Sequence, residues 1–330
     1  MPALLTSGQI LLFAAALLAQ DRSLRVIFYP PWNVSKLPLY LAQEKAVFAK
    51  NGLKVTLKNP GSNKDLLAAM KNREGEFYVV SSNHVAQSKM EAGTDLVIVA
   101  NTGHNYSVFL VASSITRAQD LKGKKVGTGA LGGTPYQLTR VSLKRLGLDP
   151  DRDVILVPYD ERSSARANGL LAGEVSGSLV SSDTIFELEK TGEMKKFRIL
   201  ADHKTLNVYA GGGADYAVPG AFLRNHRDEA KSFLSSICEG ISLARQDKPA
   251  ALQAIAKTVQ KNDPSVLEFL YRTYVGEVIP ARPRPRIEGV ELGIQMAGSN
   301  LPSAKPIRAQ DLVDASLVEE LENEGRCGPM

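Results

Sequence analysis

Short apolar segments alternate with amphipathic ones along the first hundred residues. Residues 23–29, 53–57, 77–80 and 96–100 are apolar and bounded by turn residues, which predicts buried strands. The segments between them carry apolar residues at helical spacing, and one ends at Asn51-Gly52, where glycine can adopt the left-handed conformation that closes a helix. Alternating strands and helices are typical of a largely parallel sheet covered by helices, so we expect an α/β unit.

The same alternation begins again at a glycine-rich stretch, residues 124–135 (KKVGTGALGGTP). We predict a strand from Lys125 to Thr128, a loop, and a helix with Thr134 as its N-cap and Pro135 in its first turn. Such a loop directs backbone N–H groups toward an anion or a polar ligand, although a turn without a ligand has the same pattern. Further strands are expected at residues 153–159, 177–180 and 197–201, which makes a second α/β unit.

Amphipathic helices dominate the last third of the chain. The proline-rich residues 281–287 (ARPRPRI) interrupt them as an extended connector. The two α/β units are joined by two crossings, near residues 101–111 and 207–218, and two lobes on such a hinge define a cleft lined by loops of both. The amphipathic helices of the last third are expected at residues 225–245, 249–259, 265–274, 288–300 and 309–324.

Composition excludes several classes of protein. The 330 residues suffice for two domains, and the net charge of +5 is spread along the chain without a nucleic-acid-binding motif, so no nucleic-acid partner is expected. The four histidines lack metal-ligand spacing, and we expect neither a metal nor a cofactor. Cys238 falls in the apolar stripe of a helix, which favours a buried thiol; a disulfide with Cys327 in the tail remains the alternative.

An apolar run at residues 10–19 (ILLFAAALLA) precedes the first charges of the chain, Asp21 and Arg22. Its length suits the hydrophobic region of a secretory signal and is short for a membrane span. No Lys or Arg precedes the run, and Leu17 stands where a small residue normally precedes the cleavage site. We expect residues 1–20 to be a signal peptide of an exported protein, with a buried N-terminal helix as the alternative.

Two stretches resemble a known family. Residues 38–55 (PLYLAQEKAVFAKNGLKV) are similar to the PLYLAxExGxFxxxGLxV signature of the solute-binding proteins of nitrate/sulfonate/taurine-type ABC importers and the related thiamine-pyrimidine-precursor group. Residues 120–127 (DLKGKKVG) are similar to the opening of their second lobe. The chain departs from the first signature at Ala46, where the family usually has glycine. The order of elements agrees from about Leu24 to the last helices.

The resemblance implies a type II periplasmic-binding-protein fold, in which two α/β lobes are joined by a two-strand hinge. It implies a first lobe over residues 21–108, a second over 109–208, and a return to the first lobe with C-terminal helices over 209–330. The implied function is capture of a small solute, in our interpretation a small organic anion that is either aliphatic or aromatic, and its delivery to an ABC permease by a monomeric periplasmic protein. Positions that match the family's ligand contacts are Trp32, Asn33, Ser62, Ser82, Asn83, Tyr106, Gly132, Gly133 and Thr134, with Arg162 and Ser182 as further candidates.

An enzyme on the same fold, acting on a pyrimidine or small cofactor precursor, is the competing interpretation. It requires a nucleophile, a metal or an acid–base pair in the cleft, and the available residues are His84, His104 and the pair Asp160 and Glu161. The cysteine-rich iron-binding motif of the related synthases is absent. A sensor that reports to a membrane kinase is a third alternative, which the sequence does not separate from an importer component.

Overall fold

The computed structural model describes residues 22–28, 33–104, 106–131, 133–160, 162–208, 213–301 and 305–328. Within these ranges ten strands form two five-stranded sheets. The first sheet has the order β2-β1-β3-β10-β4, and its strands are β1 (Arg22–Phe28), β2 (Leu53–Lys58), β3 (Phe77–Val80), β4 (Leu96–Asn101) and β10 (Asp215–Pro219). The second has the order β7-β6-β8-β5-β9, and its strands are β5 (Ser107–Ala112), β6 (Lys125–Thr128), β7 (Ile155–Pro158), β8 (Gly177–Ser181) and β9 (Phe197–Asp202).

Helices cover both sheets, as the alternating pattern predicts. The sheet with β1 carries α1 (Leu37–Glu44), α2 (Val47–Lys50), α3 (Asn63–Lys71) and α4 (Ser82–Ala92), and the sheet with β6 carries α5 (Thr134–Arg145), α6 (Ser163–Leu171) and α7 (Ser182–Lys190). The C-terminal part adds α8 (Gly220–Asn225), α9 (Arg227–Gln246), α10 (Lys248–Val259), α11 (Pro264–Thr273), α12 (Ile287–Asn300) and α13 (Ser316–Asn323). None of the helices in the described ranges combines the length and the apolarity needed to cross a membrane.

The two sheets share one topology, in which a single antiparallel strand is inserted among parallel ones. In the first sheet this strand is β10, and its first residue, Asp215, pairs with Asn101 at the end of β4. In the second sheet it is β5, and its first residue, Ser107, pairs with Ser181 at the end of β8. Each sheet therefore receives the chain at the edge where its parallel strands end. The connection from Asn101 to Ser107 spans at most roughly 20 Å, so the two carboxyl edges lie near each other.

The core of the first lobe, defined here as the first sheet with its helices, is built around α9. Its Phe233 stacks on Phe77 of β3 with ring centroids 4.0 Å apart and on Phe48 of α2 at 5.3 Å. Gly240 of the same helix lies so close to the carbonyl of Pro38 that an added Cβ would be 2.2 Å from the oxygen. The C-terminal helix α9 thus packs directly on α1. The second sheet with α5, α6 and α7 is called the second lobe.

Two predicted helices prove to be interrupted. The helix expected to run to Lys50 breaks between α1 and α2, where Ala46 adopts the left-handed conformation with φ 55°. A residue with a Cβ is strained there by about 1–2 kcal/mol, which explains why glycine suits this position of the family signature. The helix expected over residues 309–324 consists of a 3₁₀ turn, Ala309–Leu312, followed by α13. Val313, which lies between the 3₁₀ turn and α13, forms a β-bridge to Ile98 of β4. Such a bridge requires extended backbone, so the helix cannot continue through this residue.

Replacing Ala46 with glycine should stabilise the protein. The substitution removes the left-handed strain but adds backbone freedom to the unfolded chain, so we expect a net gain of about 1 kcal/mol in the free energy of unfolding. Urea denaturation followed by circular dichroism measures it. Ala49→Gly, in α2 next to this position, is the control and should be destabilising, because that residue is helical. Equal effects at both positions would contradict the strain at Ala46.

The two cysteines form a disulfide, so the buried free thiol favoured for Cys238 is wrong. The Cα atoms of Cys238 and Cys327 are 5.2 Å apart, within the usual range for a bridge. The bond fastens the tail behind α13 to α9 across 89 residues of sequence. Packing of Cys327 against the apolar cluster around Phe48 and Phe233 brings the sulfurs together, and this contact has no signal in the local sequence.

Loss of this disulfide should lower stability by about 4 kcal/mol, because the bond restricts a long loop in the unfolded chain. The double variant Cys238→Ser/Cys327→Ser is compared with the oxidised and reduced wild-type protein by chemical denaturation. Reduction of the wild type should reproduce most of the loss seen in the variant. Unchanged stability after complete reduction, verified by thiol titration, would contradict the prediction.

Candidate functional site: the interlobe cleft

Strand ends from both lobes dock on the two crossings. In the first lobe, the hydroxyl of Ser81 at the end of β3 accepts the N–H of Gly213 in the second crossing at 3.1 Å. In the second lobe, the N–H of Ser182 after β8 donates to the carbonyl of Tyr106 in the first crossing, also at 3.1 Å. The loops that follow the parallel strands of the two sheets therefore face one region, and the crossings form its back wall.

Three aromatic rings line the crossings. The ring of His203 lies 4.5 Å from that of Tyr106 and 4.9 Å from that of His104, measured between centroids. Burial, reinforced by the neighbouring imidazole and by the charges of Arg286 and Lys204, lowers the pKa of His104 to about 3. Burial also lowers the pKa of His203. Both imidazoles are therefore neutral at physiological pH, and they lie near Arg286 and the ion pair of Lys204 with Glu277.

A second pair of basic residues lies where α1 and α4 begin. Lys36 is fully buried just before α1, and burial lowers the pKa of its amine to about 7. His84, in the first turn of α4, is also buried, and burial together with the charge of Lys36 lowers its pKa to about 4. The carboxyl ends of β1 and β3 thus carry a buried amine and a neutral imidazole within electrostatic range of each other.

Helices α4, α5 and α7 begin at the carboxyl ends of β3, β6 and β8, so their positive ends point to the cleft. At α4, however, the first turn is already engaged within the protein. The N–H of Ser82 donates to Oδ2 of Asp215 at 2.8 Å, and its hydroxyl donates to the carbonyl of Gly289 at 3.0 Å. Ser82 was predicted to contact a ligand, but both of its donors bind protein acceptors and it is buried beneath α12.

Several of the predicted contact residues lie near the carboxyl ends of strands or at the first crossing. Asn33 precedes the turn that carries Lys36, and Asn83 is half-buried with its Oδ1 atom lacking a hydrogen-bond partner among the described residues. The predicted N-cap Thr134 is instead the first residue of α5, and Gly133 is the N-cap. Tyr106 and Ser182 meet at the first crossing, as described above. Trp32 and Gly132 lie outside the described residues.

Two predicted residues have other roles in the structure. Ser62 caps α3 by accepting the N–H of Asp65 at 3.1 Å, at the end of the edge strand β2. The side chain of Arg162 is 79% exposed and forms an ion pair with Asp160, which raises the pKa of Arg162. An arginine so exposed and already paired is poorly suited to hold a buried anion.

Sequence reasoning missed Arg166 and Ser163. The guanidinium of Arg166 is buried and its Nε donates to the carbonyl of Leu179 at 3.0 Å, which ties α6 to β8. The hydroxyl of Ser163 accepts the N–H of Ser181 at 2.8 Å. The one available signal was the position of Arg166, a helical turn beyond Arg162 in a run of small residues. It shows that the arginine lies on a helix but not that the helix face is buried.

The lobes touch on two sides of the cleft. On one side, α12 of the first lobe packs on α4 so closely that a Cβ on Gly293 would be 2.4 Å from the Ser82 hydroxyl oxygen. The same helix inserts Leu292 and Met296 into the apolar cluster of the second lobe, which includes Leu138 of α5. Helix α12 therefore bridges the lobes next to the first turn of α4.

On the other side, α7 of the second lobe lies against α11 of the first. Phe186 and Phe269 stack with ring centroids 4.6 Å apart. An ion pair joins Lys261 and Glu187 at 2.7 Å, and a second joins Lys190 to Asp263, the N-cap of α11. All four charged side chains are partly exposed, so each pair contributes at most about 1 kcal/mol to the contact.

The described residues among those that the enzyme interpretation requires, His84, His104 and Asp160, are poorly suited to act as a general base. A general base works best with a pKa near the operating pH, whereas the pKa values of His84 and His104 lie far below it. Asp160 is ion-paired with Arg162, which lowers the pKa of its carboxyl, and Glu161 lies outside the described residues. Among the described residues, no group of three or more His, Cys, Asp or Glu side chains is arranged to hold a metal ion.

Two lobes of one topology, joined by two crossings at their carboxyl edges, define the periplasmic-binding-protein fold. The solved structure of the periplasmic aliphatic sulphonate binding protein SsuA from Escherichia coli matches 91% of this chain and 100% of its own, with a TM-score of 0.69 and 19% identity. The NMT1/THI5 like family model matches residues 33–251. This chain therefore belongs to that family.

Two further comparisons bear on function. The taurine-binding periplasmic protein of Escherichia coli (strain K12) is 23% identical over 208 residues, which is 62% of this chain and 62% of that protein. The alignment thus leaves more than a third of that relative unmatched. The solved structure of the desulfurization enzyme DSZB matches 93% of this chain and 100% of its own, with a TM-score of 0.62 and 17% identity. The fold accommodates binding proteins and an enzyme.

The close contact of α12 with α4 should be sensitive to one added methyl group. Gly293→Ala forces α12 away from the first turn of α4, and we expect a loss of about 1–3 kcal/mol in the free energy of unfolding. Gly298→Ala in the same helix is the matched control, because nothing lies within 4 Å of an added Cβ there. It should stabilise by up to about 1 kcal/mol. Chemical denaturation of both variants measures the two changes. A Gly293→Ala protein with the wild-type free energy of unfolding would contradict the close contact between α12 and α4.

Proposed function

We propose that this protein captures a small organic anion between its lobes outside the cytoplasm and delivers it to an ABC permease. The single observation that carries the proposal is the docking of strand-end loops from both lobes on the two crossings, through Ser81–Gly213 and Ser182–Tyr106. A site assembled from two lobes on a hinge can enclose a ligand and release it by a change of lobe orientation. Membership of the NMT1/THI5 like family supports this assignment.

The charges and donors of the cleft favour an anion. Arg286 lies within electrostatic range of His104 and His203, as does Lys204, which is ion-paired with Glu277, and Lys36 lies near the start of α4. The positive ends of α5 and α7 add N–H donors from the second lobe. A sulfonate presents three acceptor oxygens to such donors, and relatives named for taurine and aliphatic sulphonates place sulfonates first among the ligands to test. Tyr106 offers an aromatic surface for an organic substituent.

Location outside the cytoplasm has two independent supports. The disulfide between Cys238 and Cys327 is of the kind that persists in oxidising compartments and is rare in the cytosol. The apolar run at residues 10–19 has the length of the hydrophobic part of a secretory signal. A solute-binding protein in that compartment works with a membrane permease, which is the partner we propose, and we propose that it does so as a monomer.

Lys36 is the observation that favours an enzyme on this fold as a second candidate. A buried amine with a pKa near 7 is partly neutral at physiological pH and is therefore a competent nucleophile toward a carbonyl group. Borohydride treatment of the protein with its extracted ligand, followed by mass spectrometry, separates the two functions. A covalent adduct at Lys36 supports the enzyme, and an unmodified protein with an intact ligand supports capture.

Ligand binding is tested by thermal unfolding and calorimetry with taurine, ethanesulfonate, benzenesulfonate and nitrate. A true ligand at a hundred times its dissociation constant should stabilise the protein by about 2.7 kcal/mol. Arg286→Gln should weaken binding roughly 10- to 100-fold, the effect of losing one charged hydrogen bond. Arg308→Gln is the matched control with unchanged affinity, because this exposed arginine pairs with Asp311 outside the cleft.

Small-angle scattering with and without the best compound reports lobe closure. A stabilising compound that also reduces the radius of gyration supports capture between the lobes. No stabilisation by any of these compounds, or by material extracted from the protein purified from its own exported fraction, at millimolar concentration would overturn the proposal.

A further inference from the structure

Asp215 is a buried carboxylate at the meeting point of three chain segments. It is the first residue of β10, where the second crossing enters the first sheet, and it is only 7% exposed. Its Oδ2 atom accepts the N–H of Ser82 at the start of α4 at 2.8 Å. Its Oδ1 atom accepts Nδ2 of Asn101, the last residue of β4, at 2.7 Å. One side chain therefore joins α4, the first crossing and the second crossing.

Asn101 extends this connection into the first crossing. Its Oδ1 atom accepts the N–H of Gly103 at 3.0 Å, and Gly103 has a φ of 143°, a conformation that a residue with a Cβ rarely adopts. The next residue, Thr102, makes two further bonds. Its N–H donates to the carbonyl of Ala214 at 3.0 Å, and its hydroxyl donates to the carbonyl of Ser35 at 2.8 Å. The two crossings and the turn before α1 are thus parts of one network of buried hydrogen bonds.

We propose that Asp215 is a positioning residue, which sets the first turn of α4 and both crossings in one arrangement and thereby fixes the orientation of the two lobes. It does not contact the ligand. The consequence for ligand affinity rests on the proposed function, whereas the consequence for lobe orientation does not.

The donors and acceptors around Asp215 match in only one way. The carboxylate supplies two acceptors, and the three donors of the network are the Ser82 N–H, the Asn101 amide and the Gly103 N–H. Asparagine at 215 has one acceptor fewer and one donor more. Its amide then faces that of Asn101, and a rotation of Asn101 moves the conflict to Gly103. The double exchange Asn101→Asp/Asp215→Asn restores an acceptor for every donor. The carboxylate then stands at position 101, where it can accept the N–H of Gly103 and the amide of the asparagine at 215, and that asparagine can accept the N–H of Ser82.

Neighbouring charges do not compensate for the buried carboxylate. The other ionisable residues on its own strand and on the elements packed around it are Tyr216 on β10, Tyr78 on β3, His84, Lys89 and Glu91 on α4, and the exposed Glu288 and Glu291 on α12; β4 has none, and Lys36 lies in the turn before α1. His84 is neutral above pH 5, and the Tyr78 hydroxyl donates to the carbonyl of Ala69. Burial accordingly raises the pKa of Asp215 to about 6, against the opposing effect of the bonds from Asn101 and Ser82.

This shift has a defined sign. Because the folded-state pKa lies above that of the unfolded chain, the contribution of Asp215 to stability is full below about pH 4 and is lost as the pH rises through 6. Protonation also removes one acceptor from the network. We therefore expect lobe orientation to change near pH 6 in the wild-type protein and to lack this step in the asparagine variant.

The test uses ligand-free full-length protein, so its outcome does not depend on the ligand. Spin labels at Lys64→Cys and Lys144→Cys, exposed positions on α3 and α5, report the interlobe distance, and amide exchange reports the N–H of Ser82. Asp215→Asn should broaden the distance distribution and accelerate exchange at Ser82 at least 10-fold. Asn101→Asp/Asp215→Asn should return both measurements to wild-type values.

Two results would overturn the proposal. The first is a double-exchange protein whose interlobe distance distribution is as broad, and whose Ser82 amide exchange is as fast, as in Asp215→Asn. The second is a folded Asp215→Asn protein that has lost thermal stability but keeps the wild-type distance distribution. If Asp215→Asn does not fold, the double exchange decides, since a folded Asn101→Asp/Asp215→Asn protein with a broader distance distribution than the wild type contradicts the proposal. Failure of the ligand panel leaves these readouts intact and counts against the proposed function alone.

Discussion

A polar group that is taken out of water must find a partner inside the protein, and the two crossings concentrate this requirement in a small volume. Each crossing leaves one sheet at its carboxyl edge and enters the other at the same edge, so its described backbone groups lie beyond the ends of the strands. The hydroxyl of Ser81 accepts the N–H of Gly213, the hydroxyl of Ser35 donates to the carbonyl of His104, and Oδ1 of Asn101 accepts the N–H of Gly103, while Asp215 binds the Asn101 amide. The pairing of these groups determines where one lobe stands relative to the other.

The pattern of apolar residues predicted the fold because it is local. Strand and helix spacing, the glycine-rich loop after β6 and the end of a helix at Gly52, with φ 73°, are each encoded within a few residues. The break at Ala46 was also visible, but only as a departure from a family signature. Its physical basis, a left-handed alanine, appears when the backbone angle is known.

The site was predicted less completely because its geometry is set by distant residues. Ser82 has the position of a ligand contact in the sequence, yet Asp215 and Gly289, more than a hundred residues away, engage both of its donors. The pairing of Cys238 with Cys327 depends in the same way on how α9 and the tail pack. Arg162 and Arg166 differ by one helical turn, and only the packing of α6 on β8 decides which of them is buried.

Contacts between the lobes are of two kinds, and the difference indicates how the lobes can move. The contacts at the crossings are buried, directional hydrogen bonds, which are costly to leave unpaired. The contacts between α7 and α11 include exposed ion pairs, and these exchange readily with water. Opening at the α7–α11 side would break these ion pairs and the Phe186–Phe269 contact and leave the buried hydrogen bonds of the crossings paired. This places the hinge at the crossings and the separating surface at the outer helices.

Helix α12 constrains that motion further, because it contacts both lobes through different faces. Toward α4 it presents Gly289 and Gly293, where a hydrogen bond from Ser82 and a backbone approach with no room for a Cβ fix its position. Toward the second lobe it presents Leu292 and Met296, whose apolar contacts have no preferred direction. Methionine in particular adapts to a changed neighbour by rotating its side chain. If the second lobe rotates, it can therefore slide over the apolar face of α12, while the contact of α12 with α4 stays intact. Helix α12 then moves with the first lobe.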